Sequence, residues 1–468
     1  MTRRSRFAGA AALLSIIAIP MLPQAASALE RSPRPELRPV ELGPGGAPEV
    51  ARQAVYVLPG RSLRPAARPD ALLHRTRAAA PETAPETEAP MPVSNRQAPF
   101  EAWLADFRGR ARAAGISQAV LDRALHGLRY DASVVERDRN QAEFTRTLWD
   151  YLDTAVSDTR IANGRAALRD HGAVLERIEA RYGVEKEVVT AIWGLESAYG
   201  AFRGETKVIE AMATLAFDGR RGAFFEQQLV AALKILQAGD TTPERMTGSW
   251  AGAMGHTQFM PTSYLEHAQD FTGDGRRDIW GGDPADALAS AAAYLAHHGW
   301  EKGQPWGVEV RVPEGFDYSL SDREITKLPS DWAALGVVDM AGRPVPDHGQ
   351  ASVLLPAGSQ GAAFLIFDNF AVLERYNTAD AYVIAVGHLS DRLAGGPPIR
   401  GGWPHGDRAL TYDERKEMQR RLTAAGFDTR GIDGKVGPLT IAAVRAWQTA
   451  QGLTPDGYAS PALLDRLR

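Results

Sequence analysis

From Phe100 onward, apolar residues return every three or four positions over residues 100–126, 141–163, 165–181 and 185–199. That period belongs to a helix rather than a strand. Each run therefore predicts a helix with an apolar face that another element has to cover. Gly164 and Gly183 read as the punctuation between runs, and further helices are predicted over 222–238, 261–269 and 284–298. After Trp300 the texture changes. WGVEVRVPEGFDYSL alternates in strand fashion, SVLLPA and AAFLIF read as short buried strands, and YNTADAYVIAVGHLSDRL returns to helical spacing. The fold class is mainly α, of the α+β kind, with a short β-containing insertion in a helical body.

A chain of 468 residues has room for two or three domains. GGPPIRGGWPHGD, which begins at Gly395, marks a Gly/Pro linker placed at 396–408, and a small three-helix module follows at 409–468. The module carries an internal echo: Asp433-Gly434 leads to Gly437-Pro438, and Asp456-Gly457 leads to Ser460-Pro461 at the same offsets. In each copy a turn precedes a proline placed to start a helix, and Met418, Leu422, Ile441, Val444 and Leu453 supply a modest core. On the other side of the body, residues 29–97 are rich in Pro, Ala, Arg and Glu without a sustained apolar period, which predicts a disordered tether.

Residues 1–28, MTRRSRFAGAAALLSIIAIPMLPQAASA, have the form of a signal peptide. Arg3, Arg4 and Arg6 precede an apolar run, and Ala26-Ser27-Ala28 fits the small-residue cleavage rule. The run is short and interrupted by Pro20 and Pro23, which argues against a membrane span. The chain has no cysteine, so core packing has to hold the exported protein together. A lipid-modified cysteine, a thiol nucleophile and thiolate metal sites are likewise excluded, and the expected location is the periplasm. A formal net charge of -4 gives no global pull toward nucleic acid.

Within AIWGLESAYG a single carboxylate, Glu196, stands among aliphatic and aromatic residues. On a helix from Val184 to Tyr199, residues Val184, Val188, Ile192, Leu195 and Tyr199 share a face, with Glu196 beside it. A poorly hydrated carboxyl resists ionisation, so its pKa is expected to rise, as a general acid working near neutral pH requires. Taken alone, the position favours a structural glutamate paired with an arginine.

AIWGLESAYG, TLAFDGRRGAFF, GSWAGAMGHTQFMPTSY, DFTGDGRRDIW, SAAAYLAHHGW and RYNTADAYVIAVGHLS follow one another along the chain. In this order they resemble the B-type family of lytic murein transglycosylases, over residues 98–395. The resemblance implies a lysozyme-like helical catalytic domain, Glu196 as the sole catalytic acid/base, and peptidoglycan glycan strands as substrate. The β-1,4 bond between N-acetylmuramic acid and N-acetylglucosamine would be cut with formation of 1,6-anhydromuramic acid ends. A retaining glycosidase usually needs a second carboxylate about 5 Å from the acid. Glu205, Glu210 and Asp218 are candidates by sequence proximity alone, and the family chemistry needs none. A muramidase that uses water, or a non-catalytic wall-binding protein, are the alternative readings.

The same resemblance assigns Ser249, Gln258 and Phe259 to the sugar groove, and Tyr294, Tyr376 and Asn377 with them. Small residues such as Gly252, Ala253 and Gly255 would let the backbone approach the sugar. Arg220 and Arg221 would hold lactyl or peptide carboxylates. DFTGDGRRDIWGGDPAD resembles a calcium loop: Asp270, Thr272 and Asp274 stand at offsets one, three and five, Gly275 supplies the turn, and Arg276 offers a carbonyl at seven. Gly281 replaces the glutamate expected at offset twelve. Family members close the loop with a later aspartate, so Asp286, or else Asp283, is the substitute, and a structural Ca2+ is the only cofactor expected. The terminal module, over about 412–467, resembles the type 1 peptidoglycan-binding domain, whose pattern Asp433, Gly434, Gly437, Thr440 and Trp447 match.

Overall fold

The computed structural model describes residues 96–140 and 146–468; the signal peptide and nearly all of the tether lie outside them. The first described helix, Gln97–Ala113, buries Phe100, Leu104, Phe107 and Ala111 at helical spacing. The run predicted over 100–126 is broken near Gly115, whose φ is +89°, and Ser117 then caps a second helix, Gln118–Ala124. Gly183, with φ at +67°, closes the helix Gly172–Tyr182 as expected.

Gly164 does not punctuate anything. It lies in the middle of the helix Asp158–Asp170, and the break comes at His171. The reason is packing rather than turning: a Cβ on Gly164 would stand 2.5 Å from the Tyr199 hydroxyl and 2.6 Å from Leu393 Cδ2. The helix Val208–Asp218 was not legible as a separate element. Eight of its residues, from Val208 to Ala216, are buried, and an element covered on most sides shows no amphipathic period.

The helical body has two apolar clusters. One gathers Phe100, Phe107, Met212, Phe225, Met254, Phe259 and Trp280; the other gathers Leu175, Val189, Ile192, Trp193, Phe370, Val383 and Val386. The helix Lys186–Ser197 belongs to the second, and every residue from Val188 to Ser197 is buried. It is enclosed by the helices Asp380–Leu393, Asp158–Asp170, Gly172–Tyr182 and Ala285–His297. Tyr294 and Tyr376 pack against both clusters and so mark the seam between them.

The insertion is a four-stranded antiparallel sheet in the order Val338–Asp339, Gly307–Arg311, Ala363–Ile366, Ser352–Leu354, over its own core of Trp332, Val337, Val353 and Leu365. In WGVEVRVPEGFDYSL only Gly307–Arg311 is strand, and the segment goes on to a 3-10 turn at Tyr318–Leu320. Pro313 lacks the amide that a continuing ladder would need. The last predicted helix of the body starts later than its spacing suggests, at Asp380, after an extended Asn377. The terminal module holds the helices Tyr412–Ala424, Pro438–Ala450 and Pro461–Leu467 around Met418, Leu422, Val444, Trp447 and Leu464. Thr411 and Glu414 form a capping box at its start. No helix among the described residues is long and apolar enough to cross a membrane.

Candidate active site

Glu196 occupies the last turn of the helix Lys186–Ser197, which ends in two successive left-handed residues, Ala198 (φ 49°) and Tyr199 (φ 60°). Non-glycine residues adopt that conformation at a cost of about 1 kcal/mol each, so surrounding contacts have to fix it. Here the Tyr199 ring folds back over the helix, and its hydroxyl donates to the Arg160 carbonyl at 2.8 Å. A Cβ on Gly194 would come within 2.6 Å of that ring, which explains the glycine two residues before Glu196.

The Glu196 carboxyl is buried, with 8% of the residue exposed, and Tyr382 Oη donates to its Oε1 at 2.5 Å. Burial pushes its pKa up to about 8, although the Tyr382 hydrogen bond acts in the opposite direction by favouring the ionised form. Tyr151 and Tyr376 also lie close enough to feel the glutamate's charge. Among the described residues no acidic side chain acts on this carboxyl. Of the carboxylates near it in sequence, Asp218 pairs with Arg96 and Arg139, Glu210 accepts from the Arg129 amide, and Glu205 is exposed.

The loop GSWAGAMGHTQFMP is fastened to the glutamate helix by Ser197 and His256. Ser197 Oγ donates to the His256 carbonyl at 2.6 Å, and Trp193 Nε1 donates to His256 Nδ1 at 3.1 Å. That leaves Nε2 as the protonated nitrogen facing the Gly281 carbonyl at 2.8 Å. Burial holds the His256 pKa below the usual value, in keeping with a neutral ring. The small residues of the loop serve its packing. A Cβ on Gly252 would meet Met212 at 2.6 Å, and one on Gly255 would meet the Ile279 carbonyl at 2.2 Å, so both glycines admit protein atoms rather than only a ligand.

Six of the predicted groove residues lie along this loop and the Tyr294–Tyr376 seam. Gln258, at φ 53°, donates from Nε2 to the carbonyls of Arg203 and Gly255, which leaves Oε1 as its accepting group. Ser249 Oγ accepts from the Ala253 amide at 3.1 Å. Phe259 is buried against Tyr294 and Tyr376 at 5.9 Å each, and those two tyrosines are 5.1 Å apart. Tyr376 stacks on Tyr382 at 6.4 Å and donates to the Thr257 carbonyl, so the aromatic group is continuous with the residue that holds Glu196. Asn377 follows, its Oδ1 accepting from the Ala379 amide.

The arginine pair is held by one of the protein's own carboxylates. Asp138, 1% exposed, takes Arg220 Nε at 2.6 Å and Arg221 at 2.5 Å, and Arg221 also lies 4.7 Å over the Phe225 ring. Although burial raises the Asp138 pKa, the two guanidiniums hold it below the usual carboxylate range. Arg221 is thus committed to a buried ion pair with the protein's own carboxylate. Arg220 keeps 48% of its side chain exposed.

Of the five residues predicted to hold a metal, Asp270, Asp274 and Asp286 converge, with a carboxylate oxygen from each inside a 4.8 Å span. Asp270 accepts from the amides of Gly273, Asp274 and Gly275, which winds the loop around it. Asp286 is 2% exposed and accepts from the amides of Phe271, Thr272 and Asp278. Burial first, and then the neighbouring charge of Asp270, raise its pKa. Three carboxylates this close repel one another, and an oxygen-seeking divalent cation would relieve that repulsion, so the donor set fits calcium. The Thr272 hydroxyl and the Arg276 amide are turned onto Asp270 and Asp274 within the same loop, while Asp283 caps Ala285 instead.

Sequence reasoning missed Tyr382, Tyr151 and His256. Tyr382 lay inside a quoted motif, where its signal was a polar tip on an otherwise apolar helix face.

Comparison with known proteins places these features. Residues 99–391 match the family described as the transglycosylase SLT domain, and residues 411–467 match the putative peptidoglycan binding domain. The membrane-bound lytic murein transglycosylase B of Escherichia coli K12 is 34% identical over 251 residues, covering 52% of this chain and 66% of that protein, so about a third of that relative lies outside the match. The crystal structure of SltB3 from Pseudomonas aeruginosa in complex with NAG-anhNAM-pentapeptide is 50% identical, covers 79% of this chain and 99% of its own, and superposes with a TM-score of 0.77. The Escherichia coli Slt35 structure in complex with calcium is 30% identical with a TM-score of 0.54, covering 63% of this chain and 93% of its own.

Proposed function

The chain belongs to the transglycosylase SLT domain family, the family of the lytic murein transglycosylases, and we propose that it cleaves peptidoglycan glycan strands with Glu196 as its single acid/base. The observation that carries this reading is a buried carboxyl, pushed up to about 8, with a tyrosine hydroxyl on one oxygen and no second acid acting on it among the described residues.

In the first step Glu196 gives its proton to the oxygen linking N-acetylmuramic acid to N-acetylglucosamine. The C1–O bond then breaks, its electrons staying on the departing sugar. Tyr382 donates to the carboxylate left behind and steadies the charge. In the second step the muramyl C6 hydroxyl attacks C1 of the same sugar and Glu196 takes the hydroxyl proton back, giving the 1,6-anhydro ring and restoring the acid. The nucleophile is attached to the substrate, so its effective concentration is high and neither a protein nucleophile nor water is needed.

Ser249, the Gln258 carbonyl oxygen, Phe259, Tyr294, Tyr376 and Asn377 form the groove wall that grips hydroxyl and acetamido groups. Arg220, the half-exposed member of the pair, supplies the cation for a substrate carboxylate, and Arg221 anchors it through Asp138. Asp270, Asp274 and Asp286 would hold Ca2+, with Thr272 and Arg276 completing the loop; the ion, when bound, neutralises the three carboxylates and ties the loop to the helix Ala285–His297. The module 409–468 adds a second attachment to the wall, after export directed by residues 1–28.

Digestion of purified sacculi tests the reading. Mass spectrometry of the released muropeptides should find 1,6-anhydromuramic ends, and reducing, hydrated ends alone would overturn it in favour of a muramidase.

A further inference from the structure

The two Asp-Gly turns of the terminal module are built with the same hydrogen bonds. In the first, Gln419 Nε2 donates to Asp433 Oδ1 at 3.0 Å, the Gly434 amide donates to Gln419 Oε1 at 2.8 Å, and the Lys435 amide donates to Asp433 Oδ1 at 2.9 Å. In the second, Gln448 Nε2 donates to Asp456 Oδ1 at 2.8 Å, the Gly457 amide to Gln448 Oε1 at 2.8 Å, and the Tyr458 amide to Asp456 Oδ1 at 3.0 Å. The flanking helices correspond as well. A Cβ on Gly434 would meet the Tyr412 ring at 2.5 Å and Lys416 Cγ at 3.3 Å; one on Gly457 would meet Ile441 Cγ2 at 2.7 Å and Arg445 Cγ at 3.2 Å. Tyr412 and Lys416 therefore stand in the first half where Ile441 and Arg445 stand in the second.

The second half is filled by the chain itself. Asp456 Oδ2, the oxygen left outside the clasp, accepts from both the amide and the hydroxyl of Ser359 at 2.9 Å. Arg445 donates to the Ser321 carbonyl at 2.9 Å and to its hydroxyl at 2.7 Å. The residue before Ser359 is Gly358, with φ at +65°, and an L-configured Cβ there would lie 2.6 Å from both Asp456 Oδ2 and Tyr458 Cβ. This half thus grips backbone: an N–H on the aspartate, a carbonyl on the cation, and before that N–H a residue at positive φ with no L side chain.

Among the described residues the first half has the same clasp without such an occupant. Among the described residues no group donates to Asp433 Oδ2, and Lys416 Nζ lies 5.1 Å over the Tyr412 ring rather than on a carbonyl. Around it Tyr412, Ile432, Val436 and Leu439 are exposed, an unusual apolar patch, since the other large apolar side chains among the described residues are mostly buried.

We propose that the first half of the module binds a peptide containing a D-residue, with the N–H after that residue on Asp433, a neighbouring carbonyl or carboxylate on Lys416, and small side chains on the patch. A D-residue takes positive φ as readily as an L-residue takes negative φ, and its Cβ occupies the other position at Cα, not the one blocked in the second half. Peptidoglycan stem peptides combine L- and D-residues, so the proposal rests on the chain being a wall enzyme and names the part of the wall that its module holds.

The test uses the full chain carrying Glu196→Gln, so that sacculi stay intact. Co-sedimentation with sacculi and NMR titration with acetyl-L-Lys-D-Ala-D-Ala and its all-L isomer are measured with and without Asp433→Asn. That substitution keeps the oxygen used by the clasp and turns the outer acceptor into a donor, so the module stays folded. Lys416→Ala is the second variant. Each should weaken binding to sacculi about tenfold, the loss of one hydrogen bond to a charged group, and the D-peptide should bind at least tenfold more tightly than its isomer. Unchanged sedimentation in both variants, or equal binding of the two isomers, would overturn the proposal while leaving the wall reading intact. A Glu196→Gln chain that does not sediment at all would sink both.

Discussion

Replacing Glu196 with glutamine isolates the energy of keeping that carboxyl in its pocket. The side chain keeps its shape, and the carbonyl oxygen still accepts from Tyr382, but nothing remains to ionise. In the folded chain the acid titrates at about 8 instead of the usual 4.5, so the fold holds the proton more tightly than the unfolded chain does. The stability tied to that proton is fully present below pH 4.5 and is lost as the pH rises to about 8. At about 1.36 kcal/mol for each pH unit, the wild-type chain gives up on the order of 5 kcal/mol across that window, and the glutamine variant gives up none of it. Urea unfolding of both proteins at pH 5, 7 and 9 reads the effect. The difference in unfolding free energy should swing toward the variant by about 3 to 5 kcal/mol between pH 5 and pH 9. Parallel pH curves for the two proteins would refute the claim that burial keeps Glu196 protonated, whatever the variant does to activity.

Two further outcomes follow from the same geometry. Tyr382→Phe removes a hydrogen bond that favours the ionised glutamate, so the Glu196 pKa should climb further and the alkaline limb of kcat/KM should move up by about one to two pH units; a limb that stays put or moves down would contradict the assignment. Chelation should lower the melting midpoint of the wild-type chain, and Asp274→Ala should abolish that response because it removes one of the three converging carboxylates; an unchanged wild-type midpoint would count against the calcium loop.

The residues next to Glu196 in sequence announced an unusual carboxylate, and helical periodicity was enough to find most elements of the body. Periodicity reports only half-buried faces, which is why the helix Val208–Asp218, buried on most sides, escaped it. Glycine carried two meanings that look alike in one dimension: Gly183 turns the chain, whereas Gly164 and Gly194 make room for Tyr199. Position in the sequence did not reveal what holds the arginine pair, because Asp138 approaches from a helix far away in the chain and takes both side chains.

Local patterning therefore determined which segments are helical, where the loop with acidic residues at alternate positions begins, and that one glutamate sits where water is scarce. It did not determine the partner of that glutamate. Tyr382 lies 186 residues away, and Tyr376, Phe259 and Tyr294 come together only where the two apolar clusters meet. A pKa is set by what surrounds a group in three dimensions, and desolvation by packed helices has no signature in the local order of residues.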